Sequence, residues 1–362
     1  MSVHELARSI GSSRLITDPA VMDSYRRDEA HLAEPGHPVA VMLAETAADI
    51  SEALKWATAH RVPVVTRGAG TGLAGGGVAV EGCLVISTTR MRSILEVNPD
   101  DQLAVVEAGV INADISRAAD EYGLMYAPDP SSFEISTIGG NIATNAGGLR
   151  CVKYGVTRDS VLGLEVVLAD GRIVRTGRRT VKGVAGYDLT SLLVGSEGTL
   201  GVVTSATLKL QPKPKRAPVT VVGSFDSLRS AADAVAAVVR DGIGPSLLEL
   251  IDRATLRAVD DWKRIGLEDN TAAMLIAQAD GSMPTQQPQR CRNTSRGRAP
   301  ISSPSRRTRQ KPHSYSRFAD SPIRLPNDSG NVSWKTSGSR GRNCPTCSRV
   351  STERPPSTWS RS

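Results

Sequence analysis

Arg67-Gly-Ala-Gly-Thr-Gly-Leu-Ala-Gly-Gly-Gly77 follows directly on the short apolar run Pro63-Val-Val65, and its reading decides the fold. Glycine reaches positive φ without steric cost and lets an anion approach the backbone amides, so such a loop after a strand predicts a phosphate cradle. Gly70, Gly72 and Gly75 satisfy G-x-G-x-x-G, with Glu96 about twenty residues on. A doubly wound dinucleotide fold, however, needs those glycines to open a crossover helix. Only seven residues separate Gly75 from the next apolar run, Cys83-Leu-Val-Ile-Ser87, too few for a crossover of a dozen or more. A tight glycine turn without a ligand is the blander reading of this loop taken alone.

Two further blocks lie outward of it. Ser136-Thr-Ile-Gly-Gly-Asn-Ile-Ala-Thr-Asn-Ala-Gly-Gly148 combines small residues with the amide side chains of Asn141 and Asn145. Gly186-Tyr-Asp-Leu189 runs into Gly195-Ser-Glu-Gly-Thr-Leu-Gly201, just before the apolar alternation of Val202 to Leu210. One glycine loop is weak evidence of a ligand. Three of them, each beside a strand, predict one long ligand threaded between sub-structures.

The flanking pattern alternates strands and helices. Val39 to Leu43 reads as a strand, and Thr46-Ala-Ala-Asp49 as a capping box opening a helix with Ile50, Ala53, Leu54 and Ala57 on one face. Strands are expected around Ile94 to Val97, Leu103 to Ala108, Val161 to Leu168 and Ile173 to Arg175, with a helix over Asn112 to Tyr122. Gln211-Pro-Lys-Pro-Lys-Arg-Ala-Pro218 reads as a linker that holds no sheet ladder. Beyond it the rhythm restarts as strand (Val219 to Phe225), helix (Leu228 to Val239), strand (Ser246 to Ile251), helix (Ala254 to Lys263) and strand (Ala272 to Ala279).

Composition splits the chain in two. The overall net charge of +7 conceals a tail, residues 283–362, with 14 Arg and 2 Lys against Asp320, Asp328 and Glu353, a net of +13. Residues 1–282 are therefore mildly acidic, at −6, and the high pI says nothing of what the folded part binds. The tail holds 16 Ser and 10 Pro in 80 residues and reads as disordered, because it offers too little apolar surface to offset its ordering entropy. A reading-frame shift after Asp280 and a genuine basic tail are both open explanations. No aromatic residue is regularly interleaved for base stacking, which argues against nucleic acid as a partner. No stretch approaches the ~20 apolar residues of a membrane span, and Met1 to Thr17 lacks the pattern of a signal peptide. Lone Cys83 and Cys151 suit a reducing cytoplasm. Cys344-Pro-Thr-Cys347 is half a zinc site at most, so no metal is expected.

Taken in order, Pro63 to Gly72, Pro128-Asp-Pro-Ser-Ser132, Ile138 to Gly148, Gly163-Leu-Glu-Val-Val-Leu-Ala-Asp-Gly171 and Gly195 to Gly201 resemble the FAD-linked oxidases of the vanillyl-alcohol oxidase and p-cresol methylhydroxylase type. The resemblance is strongest to the branch of glycolate oxidase flavoprotein subunits, D-lactate dehydrogenases and D-2-hydroxyglutarate dehydrogenases, and covers roughly residues 35 to 282. It implies an α+β protein. An N-terminal segment (1–34) precedes an FAD-binding domain of the p-cresol methylhydroxylase type (35–214), whose two α/β sub-domains meet near residue 90 with FAD between them. An incomplete cap domain (215–282) and the tail (283–362) follow.

The same resemblance assigns residues. Arg67, Gly68, Ala69, Gly70, Thr71, Gly72 and Leu73 would wrap the FAD pyrophosphate. Pro128, Thr137, Ile138, Gly139, Asn141, Asn145, Gly147 and Gly148 would line the cofactor from the second sub-domain, and Glu197, Gly198 and Val202 its adenosine or ribityl side. Relatives that bond FAD covalently commonly place a histidine in the pyrophosphate loop; this loop has none, so the cofactor is expected to be non-covalent FAD. The substrate implied for the intact relative is a small 2-hydroxy acid. His60 reads as a helix cap or a solvated side chain, Tyr187-Asp188 as helix packing and capping, and Cys151 as a small core residue.

The chain departs from the pattern in its histidines. The resembled branch carries His-x-x-x-Gly-Asp-Gly-Asn-x-His and a later Glu-His pair in its cap, and a histidine suits removal of a hydroxyl proton near neutral pH. Here no histidine lies between residues 61 and 312. FAD binding is therefore expected with impaired turnover and no identifiable catalytic residue. The alternative is a non-catalytic flavin-binding remnant whose basic tail contacts an acidic partner.

Overall fold

The computed structural model describes residues 3–30, 34–215, 217–264, 266–267 and 270–280 and the backbone of 332–337. The chain forms two compact units, residues 1–215 and the chain from 216 onward.

The first unit opens with α1 (Val3–Ile10), β1 (Leu15–Ile16) and α2 (Pro19–Met22). Then come β2 (Ala40–Leu43), α3 (Ala47–His60), β3 (Val64–Arg67) and β4 (Leu84–Ser87). These strands make one sheet in the order β1-β2-β4-β3, antiparallel at β1 and parallel elsewhere. The expected capping box is present: Asp49 N donates to Thr46 Oγ1 at 3.1 Å and Thr46 N to Asp49 Oδ2 at 3.0 Å. One face of the sheet (Ala40, Met42, Leu84, Ile86) packs on Ile50, Ala53, Leu54 and Ala57 of α3 and on Leu6 and Ile10 of α1. The other face (Val41, Val65, Val85, Cys83) is covered by Met22 and Ala79. Burial on both faces is what a parallel sheet requires, and it explains the unbroken apolar runs.

A second sheet follows from β5 (Ile94–Asn98), β6 (Leu103–Glu107), β8 (Val161–Val167), β9 (Ile173–Gly177) and β10 (Val202–Lys209), ordered β5-β6-β10-β8-β9 and antiparallel throughout. Between β6 and β8 run α4 (Asn112–Asp120), β7 (Leu124–Met125), α5 (Ile138–Ala143), α6 (Cys151–Tyr154) and α7 (Thr157–Ser160); α8 (Leu189–Leu193) precedes β10. Val106, Leu164, Val166 and Leu208 of this sheet bury against Ile115, Ile138, Ile142 and Leu193 of the helices. At ~1.5–3 kcal/mol per fully buried large side chain, this packing fixes the position of the otherwise weak helix α5.

Three features differ from expectation. Residues 68–83 do form a crossover between parallel neighbours β3 and β4, but one without a helix; it begins after Arg67 rather than at Gly75 and so is long enough. Within the Ser136–Gly148 block, Ile138–Ala143 is helical despite two glycines, because Thr137 caps it and Ile138 and Ile142 are buried. Gln211–Pro212, expected to lie outside any ladder, is a short strand, β11, paired with β7; two residues at a sheet edge tolerate the proline.

The second unit contains β12 (Val219–Phe225), α9 (Leu228–Arg240), β13 (Leu247–Asp252), α10 (Arg253–Lys263), β14 (Ala273–Ala279) and β15 (Val332–Ser337). Its strands form an antiparallel sheet in the order β13-β14-β12-β15. Phe225, Ala273 and Leu275 pack on Ala231 and Ala234 of α9. The reading of residues 283–362 as disordered falls outside the described residues except at β15, where Val332-Ser-Trp-Lys-Thr-Ser337 pairs with β12.

Candidate functional site

The carboxyl ends of β3 and β4, the amino end of α5 and the turn before β10 meet around a cleft of about 580 Å³. Three of its walls are the three glycine blocks. Arg67 to Leu73 forms one; Thr137, Gly139, Asn141, Asn145 and Gly147 form the second; Glu197, Gly198 and Val202 form the third. Of the expected residues, three do not line it. Ile138 is fully buried in the core beneath α5. Pro128 is buried, with its carbonyl accepting from Asn112 Nδ2 at 3.2 Å. Gly148 packs on Asp129, and its amide donates to Cys151 Sγ at 3.0 Å. Cys151 is correspondingly half-exposed rather than a core residue, and burial together with nearby Asp129 and Asp159 raises its thiol above the usual value.

Two glycines are fixed by close approach of the two sub-domains. A Cβ on Gly68 would lie 2.0 Å from Thr137 Oγ1, across the cleft floor. In the other direction, a Cβ on Gly198, at φ +78°, would lie 2.3 Å from Thr66 Oγ1. Both side chains would force the sub-domains apart, so the width of the cleft depends on these residues being glycine.

The second wall is locked from behind. Asn112, on α4, donates through Nδ2 to Asn141 Oδ1 at 2.9 Å, and Asn141 Nδ2 donates to Ser136 Oγ at 3.1 Å. Asn141 is 4 % exposed, so its amide holds α5 in place rather than reaching into the cleft. Thr137 caps α5 by accepting from Gly140 N at 3.4 Å. At the other end of α5, the carbonyls of Ile142 and Ala143 accept from the amides of Gly195 and Glu197, both at 2.9 Å, which ties the third wall to the second. Glu197 adopts φ +50°, a strained value for a residue with a side chain. Its Oε2 sits 2.6 Å from where a Cβ on Gly76 would be, so this carboxylate spans the gap to the first loop.

The first wall is an array of amides. Among the described residues, the backbone N–H groups of 69–74 donate to no protein acceptor. Arg67 does not extend over them: its Nη2 lies 2.1 Å from the Cβ position of Gly70, and its Nη1 donates to Arg27 O. Burial lowers its guanidinium below the ordinary arginine value, opposed by the charge of Asp28. Unclaimed amides with room above them suit a diphosphate, and Thr71, Thr88, Thr144 and Ser132 suit its sugar and polyol. The residues fit FAD in this respect. Among the described lining residues only Asp28, Arg67 and Glu197 carry ionisable side chains, and none is a histidine, cysteine or tyrosine.

Sequence reading missed Asp28, Thr88, Pro130 to Ser132, Gly140 and Thr144 as lining residues. Pro130 to Ser132 stands in a quoted motif and was within reach. Asp28 carried no local signal, lying in a segment without apolar periodicity. His60 ends α3, its Nδ1 lying 2.8 Å from Trp56 O; Asp188 caps α8 by accepting from Ser191 N at 2.9 Å, whereas Tyr187 is exposed and packs nothing. Among the described residues no cluster of three metal-ligating side chains occurs, and no helix is long and apolar enough to cross a membrane.

Comparison with known proteins places these features in context. Residues 38–177 match an FAD binding domain, and residues 213–299 match the C-terminal domain of FAD linked oxidases. Glycolate oxidase subunit GlcD of Bacillus subtilis (strain 168) is 48% identical over 248 residues, covering 68% of this chain and 53% of that protein. D-lactate dehydrogenase of Archaeoglobus fulgidus is 41% identical over 249 residues, 68% and 55% of the two chains. The chain thus spans about half the length of the curated relatives it matches. The crystal structure of p-cresol methylhydroxylase with substrate bound shares the fold, with a TM-score of 0.64 at 19% identity over 76% of this chain and 59% of that one.

Proposed function

From the premise that this chain belongs to the FAD-linked oxidases, we propose that it holds non-covalent FAD in the 580 Å³ cleft and descends from enzymes that oxidise small 2-hydroxy acids of the glycolate and D-lactate kind. The observation that carries the reading is the first wall: a glycine loop whose amides at 69–74 donate to no protein acceptor among the described residues, facing a capped helix across a cleft of about 580 Å³. Residues 69–74 bind the diphosphate, and Thr137 with Gly139 and Gly140 close on it from α5. Glu197, which lines the third wall, would accept hydrogen bonds from sugar hydroxyls. When bound, FAD supplies the acceptor for a hydride leaving C2 of the hydroxy acid. The substrate hydroxyl proton needs a base, and no histidine between 61 and 312 supplies one, so we place turnover well below that of the full-length relatives. Free Cys83 and Cys151 favour the cytoplasm.

Titration of the purified full chain with FAD, followed by quenching of flavin fluorescence, tests this. Saturable binding is expected, with all of the flavin released to the supernatant on acid precipitation. A chain that takes up no FAD refutes the cofactor reading, and flavin retained in the acid pellet refutes the non-covalent one. Rapid dye reduction with glycolate or D-lactate would overturn the impaired turnover. The net +13 of residues 283–362 supports a second reading, a flavin-binding module whose basic tail contacts an acidic partner, tested by salt-dependent binding to that partner.

A further inference from the structure

We propose that Asp28 is a positioning residue for the cofactor loop, and that the segment Arg26–Glu29, upstream of the matched FAD binding domain, is a working part of the site; this rests on the cleft binding FAD. Glu29 N donates to Gly72 O at 3.1 Å and Ala79 N donates to Arg26 O at 2.9 Å, so the two segments are stitched at two points of the loop. Between these stitches, Gly77 N donates to Asp28 Oδ2 at 3.2 Å, while Ala30 N donates to Asp28 Oδ1 at 3.0 Å. Arg67, which begins the loop, bends back beneath Gly70 and donates to the carbonyl of Arg27. A Cβ on Gly72 or Gly77 would lie 3.7 or 3.6 Å from Asp28 Oδ2, so the carboxylate lies against the loop where it lines the cleft.

Asp28 is only 6 % exposed. A carboxylate is costly to bury, and one beside an anion site repels the anion as well. Its presence is explained by what it holds, two backbone amides, with the positive charge of Arg67 nearby. The loop needs such a holder. It is rich in glycine, carries no helix, and leaves the amides of 69–74 without internal partners. A free segment of this composition would lose much conformational entropy on closing around a diphosphate. Fixing it in advance removes that cost from binding. The Arg67 charge offsets the electrostatic penalty of placing Asp28 there.

The test uses the full chain and FAD itself. Asp28→Asn keeps the shape but replaces one of the two acceptor oxygens by a donor and removes the negative charge near Arg67; Asp28→Ala removes both acceptors. Each is expected to weaken FAD binding roughly ten- to hundred-fold at a temperature where the apo-protein is fully folded. Amide exchange in the apo-protein should accelerate within residues 68–79 and stay unchanged in α4 and β6. In the wild-type apo-protein, the Gly77 and Ala79 amides should be protected. Unchanged FAD affinity in a folded Asp28→Asn, exchange spread evenly over the unit, or unprotected Gly77 and Ala79 in the wild type would each overturn the proposal; the last can be read even if the variants do not fold. A wild-type chain that binds no FAD removes both this role and the cofactor reading beneath it.

Discussion

Gly68→Ala probes the junction of the two sub-domains directly. The added Cβ would stand 2.0 Å from Thr137 Oγ1 and 3.3 Å from Thr137 Cβ. The first distance is more than an ångström too short, whereas the second needs only a few tenths of relief. Thr137 is 2 % exposed, and its hydroxyl caps α5 through Gly140 N. Rotating the hydroxyl away gives up the cap, about 1 kcal/mol. Moving the loop instead opens the cleft, at the cost of overpacking, typically ~1–3 kcal/mol. Either way the variant loses about 1–3 kcal/mol, which in a unit of this size lowers the melting temperature by roughly 2–10 °C.

The clash is with one oxygen, so it can be isolated. Thr137→Ala removes that atom and keeps the Cβ. Urea unfolding of the apo-protein is measured for the wild type, both single variants and the double variant. Gly68→Ala is expected to cost markedly less in the Thr137→Ala background, with a coupling of about 1 kcal/mol or more. FAD titration of the same four proteins should follow the order of stabilities. If Gly68→Ala costs the same in both backgrounds, the two walls do not meet at this atom and the reasoning fails.

Three further outcomes follow from named contacts. Asn112→Ala strands the Pro128 carbonyl and weakens the hold on Asn141, so urea unfolding should show a loss of about 1–3 kcal/mol. Thr46→Ala removes the acceptor for Asp49 N and should cost ~0.5–2 kcal/mol by the same measurement, with no change in FAD affinity. Hydrogen bonds from Arg14 and then Arg90 hold the Glu45 carboxyl below its ordinary value. Its contribution is therefore present above the unfolded-chain value of about 4.3 and is lost as pH falls through the lower folded value. Glu45→Gln should flatten the acid limb of the stability profile in that window and leave the neutral region with its pH dependence unchanged.

Legibility in the sequence followed the physics of each element. Strands with two buried faces or strict alternation, such as Leu84–Ser87 and Ala273–Ala279, were readable to within a residue, because burial dictates their apolar content. The helix α1 was not, since Val3, Leu6 and Ile10 turn inward at helical spacing over only eight residues, too short a run to stand out in a polar segment. Nor was α5, whose Gly139, Gly140 and Asn141 favour a loop locally; tertiary contacts at Ile138 and Ile142 decide it. The candidate site divides the same way. Glycine loops announce themselves by composition, so fifteen of the eighteen expected residues line the cleft. Pro128, Ile138 and Gly148 belong to the same blocks but serve packing, a distinction composition does not carry.

The helix-free crossover explains why the remaining part of the site lies elsewhere in the chain. In a doubly wound dinucleotide fold, the helix after the glycine turn both fixes the turn and supplies a dipole for the diphosphate. Here β3 leads to β4 through residues 68–83 alone, so neither service comes from the crossover itself. In place of that helix, the short helix α5 from the second sub-domain faces the loop across the cleft. Rigidity has to come from outside the loop, and the segment Arg26–Glu29 is the one that bonds to Gly72, Gly77 and Ala79 together. A cofactor loop without its own helix thus makes binding depend on two remote stretches, one about forty residues before it and one about seventy after. On the proposed reading the glycine motif marks where FAD binds, but the affinity of the cleft should respond to Asp28 and Thr137, which the motif does not contain.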